Sequence, residues 1–168
     1  GANAGRLRWA MDLARTVRAS AGLDPGAISF GAYVNAVAHP DPARARELVR
    51  GRLGVYARFS SMHRSALDTL DEPDRAAVQR LAAAYEVSGH GTSSPGHAAV
   101  LDDDFVDRFG VVGPSDRVAE RLLQLLDLGL DHLVIVGHAR DVDFKTLVES
   151  VERFGQEVIP SLKAPKAS

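Results

Sequence analysis

Apolar positions recur along the first quarter of the chain at two different spacings. Between Arg6 and Ala21 the spacing is helical, and Gly22 is placed to end that helix. From Ile28 to Ala38 apolar residues alternate with period two, which is typical of a strand. The even face of this strand is apolar, so we expect helices to pack against it. Its odd face is small and polar and is expected to line a partly wet interior; it consists of Ser29, Gly31, Tyr33, Asn35 and Val37.

The middle of the chain is predicted to be mostly helical. A helix is expected to begin after Asp41 as its N-cap, with Pro42 at the first helical position. Its buried face is predicted to hold Leu48, Val49, Leu53, Tyr56 and Phe59. Another helix is predicted over residues 75–87, and the Gly, Ser and Pro content of residues 88–101 predicts the longest loop. The stretch "DDDFVDRF" favours a single helical turn capped by an aspartate.

The last third predicts a turn, a helix, a strand and a final helix. The turn "VVGPSD" leads into a helix with apolar positions at Val118, Leu122, Leu125 and Leu126, which Gly129 ends. The run "HLVIVG" predicts a parallel strand covered on both faces. A helix capped by Asp143 follows, with Phe144, Leu147, Val148, Val151 and Val158 at helical spacing. The tail, residues 164–168, is expected to be disordered.

The order of these elements predicts the fold class. Strands separated by helices indicate parallel pairing and an α/β layer arrangement. Only two strands are evident, and two strands cannot form a stable sheet by themselves. We therefore expect the chain to be part of a larger sheet or barrel.

Composition narrows the class of protein. The 168 residues are 45% hydrophobic and 25% charged, as in an ordinary globular domain. The net charge of -2 supplies no basic field, which argues against nucleic acid as a partner. Cysteine is absent, which excludes disulfides and thiolate nucleophiles. This absence is compatible with the reducing cytoplasm, where we expect the protein to act. No apolar run approaches the ~20 residues that span a bilayer, so no membrane partner is expected.

The joint order of several motifs resembles the luciferase-like family of flavin- or deazaflavin-dependent oxidoreductases, whose fold is a (β/α)8 barrel. "VGPSDRVAERL" followed by "LGLDHLVIVG" resembles the family's closing turn, helix and last strand. "FGAYVNAVAHPDPARARELVRG" resembles its penultimate strand and the helix after it, while "RFSSMH" and "DDDFVDRFGVVG" resemble its variable insertion. The family often has Thr-Pro at the start of the closing helix. Here Pro114 and Ser115 stand in that place, and Ser115 is expected to cap the helix.

The resemblance implies a helix-rich α/β fold with about two parallel strands, in which residues 1–163 form the C-terminal portion of a TIM barrel. Because a full barrel needs about 250 residues, most cofactor contacts are expected to lie before Gly1. The chain alone is therefore expected to be inactive and to form a homo-oligomer.

The nearest likeness is to the branch that uses coenzyme F420, which implies hydride transfer between F420 and a small-molecule organic substrate. An FMN-dependent monooxygenase of the same fold is one alternative. A non-catalytic fragment or helical interaction domain is another.

Pocket candidates lie where the strands end, and no catalytic residue is identified among them. Tyr33 and Asn35 share the odd face and His39 follows it, so an amide could bind a polar ring edge and an imidazole could transfer protons. The alternative is that Tyr33 and Asn35 satisfy each other and that His39 is a loop residue. His138 and Arg140 follow the last strand and could meet a phosphate, unless they lie in a solvated loop.

His63 falls in the presumed insertion, which in this family helps to wall the substrate pocket. A packing or surface role is the more ordinary interpretation of this histidine.

Three other motifs are weighed and set aside. The Gly113 turn lacks the additional glycines and the lysine of a P-loop. The helix after it is expected to begin at the barrel end opposite the chemistry, so the turn is interpreted as a connector. His90 and His97 are seven residues apart in a loop, and "DDD" at 102–104 is explained by a helix cap, so no metal is predicted.

Overall fold

The computed structural model describes residues 1–93 and 96–163. These residues form eight α-helices and three β-strands, and a π-helical turn at Phe154–Val158 joins the last two helices. The elements are α1 (Ala4–Ser20), β1 (Gly31–Ala38), α2 (Pro42–Arg58), α3 (Arg64–Leu67), α4 (Glu72–Ala84), α5 (Asp103–Phe109), β2 (Val111–Gly113), α6 (Ser115–Leu126), β3 (His132–Val136), α7 (Phe144–Arg153) and α8 (Ile159–Lys163). The tail expected to be disordered, residues 164–168, lies outside the described residues, as do residues 94 and 95 of the predicted loop. None of the described helices combines the length and apolarity that crossing a bilayer requires.

Most of the predicted helix caps are confirmed. The Asp41 carboxylate accepts a hydrogen bond from the Ala43 amide at 2.9 Å, and Asp143 does the same for Thr146 at 2.9 Å. Asp102 caps α5, but this helix runs for seven residues and is longer than the single turn expected. The cap expected from Ser115 is wrong: Pro114 holds the N-cap position and Ser115 is already helical, so its hydroxyl donates instead to the Glu157 carboxylate.

The three strands form one parallel sheet in the order β2-β1-β3. β3 pairs with Gly31–Asn35 of β1, and β2 pairs with Ala36–Ala38 at the carboxyl end of the same strand. No separate strand is predicted at β2, because its three residues are too few for a period to be visible. β1 begins at Gly31, later than expected, because the Phe30 amide donates to the Asp131 side chain at 2.7 Å rather than to a neighbouring strand.

The two faces of β1 pack as their alternation predicts. Val34, on the even face, is fully buried in a cluster that includes Met11 of α1 and Leu122 of α6. Val37, on the odd face, belongs to a second cluster with residues of α2, α4 and α5. The expectation that helices cover the even face is therefore confirmed, while the far end of the odd face is also covered.

The expectation that the run "HLVIVG" is buried on both sides is wrong in this chain. Val134 is 40% exposed and Ile135 is 37% exposed, because β3 is the edge strand of the described sheet. The apolar stripe of α7 is also open to solvent, with Phe144 79% exposed and Val151 60% exposed. The C-terminal part of the chain thus presents apolar surface that none of the described residues covers.

Candidate functional site

Three aromatic rings line the open part of the odd sheet face. The Tyr33 ring of β1 stacks on the Tyr56 ring of α2, with centroids 6.0 Å apart and an interplanar angle of 24°. Phe59 meets Tyr56 edge to face at 6.3 Å. We call Tyr33, Tyr56 and Phe59 the aromatic wall. Tyr33 and Phe59 are more than half exposed, so their rings offer a planar apolar surface to a bound molecule.

Asn35 adds an unused polar group on the same face of β1. Its side chain is fully buried, and its Nδ2 donates to the Val136 carbonyl of β3 at 3.5 Å. Its Oδ1 is buried and has no partner among the described residues. Because buried acceptors are almost always paired, this oxygen is an exception that lacks a partner from the described residues. Tyr33 and Asn35 do not bond each other: Asn35 Nδ2 donates to Val136 and Asn35 Oδ1 has no partner among the described residues.

A cation lies beside the aromatic wall. The guanidinium of Arg6, in the first turn of α1, donates to the hydroxyl of Ser60, the residue after Phe59. The described residues form no ion pair with Arg6, and its Nε is buried without a partner. Burial lowers the pKa of Arg6, which expresses the cost of holding this charge without an anion. The arrangement suits an anionic group on a ligand.

His39 lies at the carboxyl end of β1 but is committed to structure. Its Nδ1 is 3.0 Å from the Asp41 amide, and its own amide donates to the Gly113 carbonyl at 2.8 Å. The imidazole thus supports the turn into α2, and the backbone amide of His39 supports the end of β2. The loop interpretation of His39 describes these contacts better than a role in proton transfer.

The structure separates the remaining predicted pocket residues. His138 is buried, and it lines a cavity with Ala36 of the even face, away from the aromatic wall. Arg140 is exposed; its amide donates to the Gly91 carbonyl at 2.7 Å and its guanidinium reaches the His90 carbonyl at 3.4 Å. His63 is exposed and directly precedes α3, without capping it through its side chain.

The expectation that the helix after the Gly113 turn begins at the barrel end opposite the chemistry is wrong. Because β2 runs parallel to β1 and ends beside Ala38, α6 begins at the carboxyl edge of the sheet, not at the opposite end. A helix that follows a parallel strand must start at the end where that strand finishes. The start of α6 carries acidic groups of its own, with Glu157 accepting from Ser115 and Asp116 accepting from the Arg117 amide. These groups agree with a connector.

The two histidines weighed as metal ligands flank a tyrosine. His90 Nδ1 is 2.6 Å from the Tyr85 hydroxyl, and the His97 ring lies 4.3 Å from the Tyr85 ring. Burial lowers the pKa of His97, whose Nε2 has no partner in the described part of the chain. Among residues 1–93 and 96–163, no three metal-ligating side chains gather in one place.

Sequence reasoning missed two parts of the site. Tyr56 and Phe59 were assigned to the buried face of α2, yet Phe59 is 53% exposed and both rings join the aromatic wall. The available signal was that Tyr56, Phe59 and Met62 recur every three residues beyond the last aliphatic position of α2. Arg6 gave no signal, because an arginine in the first turn of an exposed helix is ordinary.

Comparison with known proteins places this geometry in a family. A model of the luciferase-like monooxygenase family matches residues 1–132. Among solved structures, the coenzyme F420-dependent tetrahydromethanopterin reductase from Methanopyrus kandleri matches with a TM-score of 0.67 and 22% sequence identity; the match covers 96% of this chain and 44% of that chain. No curated protein matches the chain. The chain thus spans less than half the length of that reductase. Its sequence match and its parallel sheet, which corresponds to part of a TIM barrel, show that the chain belongs to the luciferase-like monooxygenase family.

Proposed function

We propose that this chain is part of an oxidoreductase that transfers a hydride between coenzyme F420 and a small organic substrate. The observation that carries the proposal is the aromatic wall beside the unpaired Asn35 oxygen. The described residues fit such a coenzyme in three respects: exposed planar rings, an unused amide acceptor, and an Arg6 guanidinium that has no ion pair among them. The similarity to an F420-dependent reductase supports the choice of coenzyme.

Each group has a stated part in this proposal. Tyr33 and Tyr56 pack against the flat ring system and keep water from one side of it. Asn35 Oδ1 accepts a hydrogen bond from a polar ring edge and fixes the orientation of the ring. Arg6 pairs with an anionic group, which would relieve its buried and unpaired charge. The coenzyme, when bound, supplies the two-electron chemistry, and the protein orients it.

The roles of His138, Arg140, His39 and His63 in substrate or cofactor binding remain predictions of the sequence. Of these four, none contacts the aromatic wall through a hydrogen bond in the described structure. We therefore assign the cofactor contacts of this chain to Tyr33, Asn35, Tyr56 and Arg6.

The test uses the full-length protein that carries this chain, assayed for oxidation of reduced F420 under air and under nitrogen. Hydride transfer predicts turnover that does not need oxygen. Asn35→Ala is expected to lower kcat/KM by about tenfold, the loss of one good hydrogen bond to a ligand. Thr16→Ala on the exposed side of α1 is a matched control that should change nothing.

An FMN-dependent monooxygenase is the second candidate, and the description of the matching family supports it. Oxygen uptake in step with substrate loss, with FMN and not with F420, would favour this candidate. Absence of turnover with both cofactors would contradict both and favour the non-catalytic alternative. For the 168-residue chain by itself we expect no submicromolar binding of either cofactor, which calorimetry measures, because Gly-rich phosphate-binding turns are absent from the sequence.

A further inference from the structure

A small cavity of about 130 Å³ lies at the start of α1. The first turns of this helix and the end of α5 enclose it, and Leu7 and Phe109 belong to its apolar lining. Its volume is below the roughly 300–1,000 Å³ of sites that enclose a whole ligand. The cavity therefore suits one end group of a larger molecule, or a molecule of a few atoms.

The polar side chains that line this cavity are Asn3, Arg6 and Trp9, and polar atoms form part of its wall. Asn3 Oδ1 is the one side-chain acceptor among them, and it already accepts from the Arg6 amide at 3.0 Å as the cap of α1. Asn3 Nδ2 and Trp9 Nε1 are donors without a partner among the described residues. None of the described lining residues is an aspartate or a glutamate. The lining thus offers donors and lacks acceptors.

Arg6 has the one charged side chain among the described lining residues. Its Nη1 donates to Ser60 and its Nε is closed off from solvent, so Nη2 is the nitrogen left for a ligand. Burial lowers the pKa of Arg6, and no carboxylate opposes this effect. The first turn of α1 contains no acidic residue either, although the positive end of a helix dipole favours anions and disfavours a cation. The charge of Arg6 is therefore unbalanced within the described part of the chain.

Gly1 also lines the cavity. Its amino group donates to the Tyr33 carbonyl at 2.8 Å. Burial, and after it the charge of Arg6, lower the pKa of this amino group to about 6. At pH 7.5 the amino group thus carries little charge, and Arg6 supplies most of the positive charge of the lining.

We propose that this cavity binds a carboxylate group, held by Arg6 Nη2 with Asn3 Nδ2 and Trp9 Nε1 as neutral donors beside it. An ionised carboxylate only accepts hydrogen bonds, and its single charge matches one guanidinium. A phosphate monoester carries a charge of about −1.5 to −2 at pH 7, which one arginine does not balance. The inference rests on the proposed function only for the molecule that brings the carboxylate, which is either the coenzyme on the aromatic wall or the substrate.

The test follows Trp9, the one tryptophan of the sequence, through its indole N–H signal in the ¹⁵N-labelled 168-residue chain. Acetate is titrated at pH 7.5 and constant ionic strength, and is expected to shift this signal saturably. Acetamide has nearly the same shape without the charge, and it should bind at least about tenfold more weakly because a charge-assisted hydrogen bond is lost. Inorganic phosphate should also bind more weakly than acetate.

Two variants and a matched control localise the site. Arg6→Gln removes the charge and should weaken acetate binding by about tenfold or more. Arg8→Gln makes the same change at an exposed neighbour on α1 and should leave acetate binding unchanged. Asn3→Asp keeps a side-chain oxygen that caps α1 but replaces the donor with a negative charge, so it should abolish acetate binding without lowering the free energy of unfolding. Circular dichroism and urea unfolding check that each variant is folded.

The full-length protein identifies the molecule that carries the carboxylate. Asn3→Asp should raise KM severalfold for F420 if the coenzyme carries it, and for the substrate if the substrate does. Four results would overturn the proposal: acetamide or phosphate binding as tightly as acetate, unchanged acetate binding in folded Arg6→Gln, no saturable shift, or unchanged KM for both molecules. Absence of F420 turnover would count against the proposed function alone, because the acetate titration needs neither coenzyme nor substrate.

Discussion

The backbone of Thr92 lies directly against Gly51 of α2. A Cβ atom on Gly51 would overlap the Thr92 carbonyl group and come within 2.7 Å of the Ser93 amide. The same amide donates to the Asp141 carboxylate at 2.8 and 2.9 Å, so the segment is held between α2 and the loop after β3. Gly51 is thus the position that lets the 87–93 segment dock.

We expect Gly51→Ala to release this segment. Overpacking against backbone should cost about 1–3 kcal/mol of unfolding free energy. Gly54→Ala is the matched control on the same helix, since its Cβ would meet neighbours at an ordinary 3.6 Å or more. That variant should gain up to about 1 kcal/mol from helix propensity. Urea unfolding measures both, and hydrogen exchange of the Ser93 amide reports undocking; equal effects of the two substitutions would contradict this account.

Opposite faces of β1 should respond differently to substitution. Val34→Asp places an unpaired charge in the fully buried cluster under α1 and α6 and should cost about 4 kcal/mol. Asn35→Ala removes only a long hydrogen bond and an unpaired oxygen. It should therefore lower the free energy of unfolding by only about 1 kcal/mol. Chemical denaturation of both variants compares them directly. Similar losses would mean that the assigned faces are incorrect.

The Asp74 carboxylate depends on Arg108. Asp74 is 1% exposed, and its Oδ1 accepts from Arg108 Nε at 2.8 Å and Nη2 at 2.7 Å. Burial raises the pKa of Asp74, and the two bonds from Arg108 oppose that rise only in part. Removing Arg108 leaves a buried anion, so Arg108→Ala should cost about 2–3 kcal/mol near pH 7.

The pH dependence of this cost has a definite sign. When folding raises the pKa of a carboxyl, the folded protein becomes less stable as the pH rises from the unfolded pKa through the folded pKa of that group. Arg108→Ala should raise the pKa of Asp74 further, so its cost should grow between pH 4 and pH 7. The Asp74→Asn/Arg108→Ala double variant has no such carboxyl and serves as the control. A cost that falls with rising pH, measured by urea midpoints, would refute the assignment.

His97 should make the fold sensitive to acid. His97 is 2% exposed, its ring centroid lies 4.3 Å from that of Tyr85, and burial lowers its pKa from 6.5. Because the unfolded chain binds the proton more tightly, stability should fall as pH drops from about 6.5 through the folded pKa. His97→Phe keeps an aromatic ring and should flatten part of this dependence. Melting temperatures from pH 7.5 to 5 compare His97→Phe with the wild type, and an unchanged slope in the folded variant would contradict this expectation.

The open edge of β3 and the exposed stripe of α7 should drive self-association, as the homo-oligomer predicted from the sequence requires. An unpaired strand edge beside a broad apolar surface is tolerated poorly in a monomer. Light scattering on the 168-residue chain should therefore show a dimer or larger species. Phe144 and Val151 are 79% and 60% exposed, and replacing both with glutamine should reduce self-association. The control Val17→Gln on α1 should not reduce it. A clean wild-type monomer with a sharp melt would show that the chain tolerates its open edge.

The candidate site shows how much of its geometry the sequence could predict. Alternation from Ala32 to Val37 correctly placed Val34 and Val37 on opposite faces, because a strand has a fixed period of two. Alternation could not place Phe59, since helical spacing alone does not say where a helix leaves the core. Nor could it separate His138 from Arg140, because two residues after a strand can turn toward either side of the sheet.

The sequence by itself determined what local chemistry controls: the caps at Asp41 and Asp143, the helix end at Gly22, and the joint motif order that marks the family. The tertiary structure decided what depends on contacts between distant segments. The pairing of β2 with the end of β1, the stacking of Tyr33 on Tyr56, and the burial of Asp74 beside Arg108 all join residues far apart in the chain. No period or propensity encodes such a contact, because its energy exists only once both segments have been brought together.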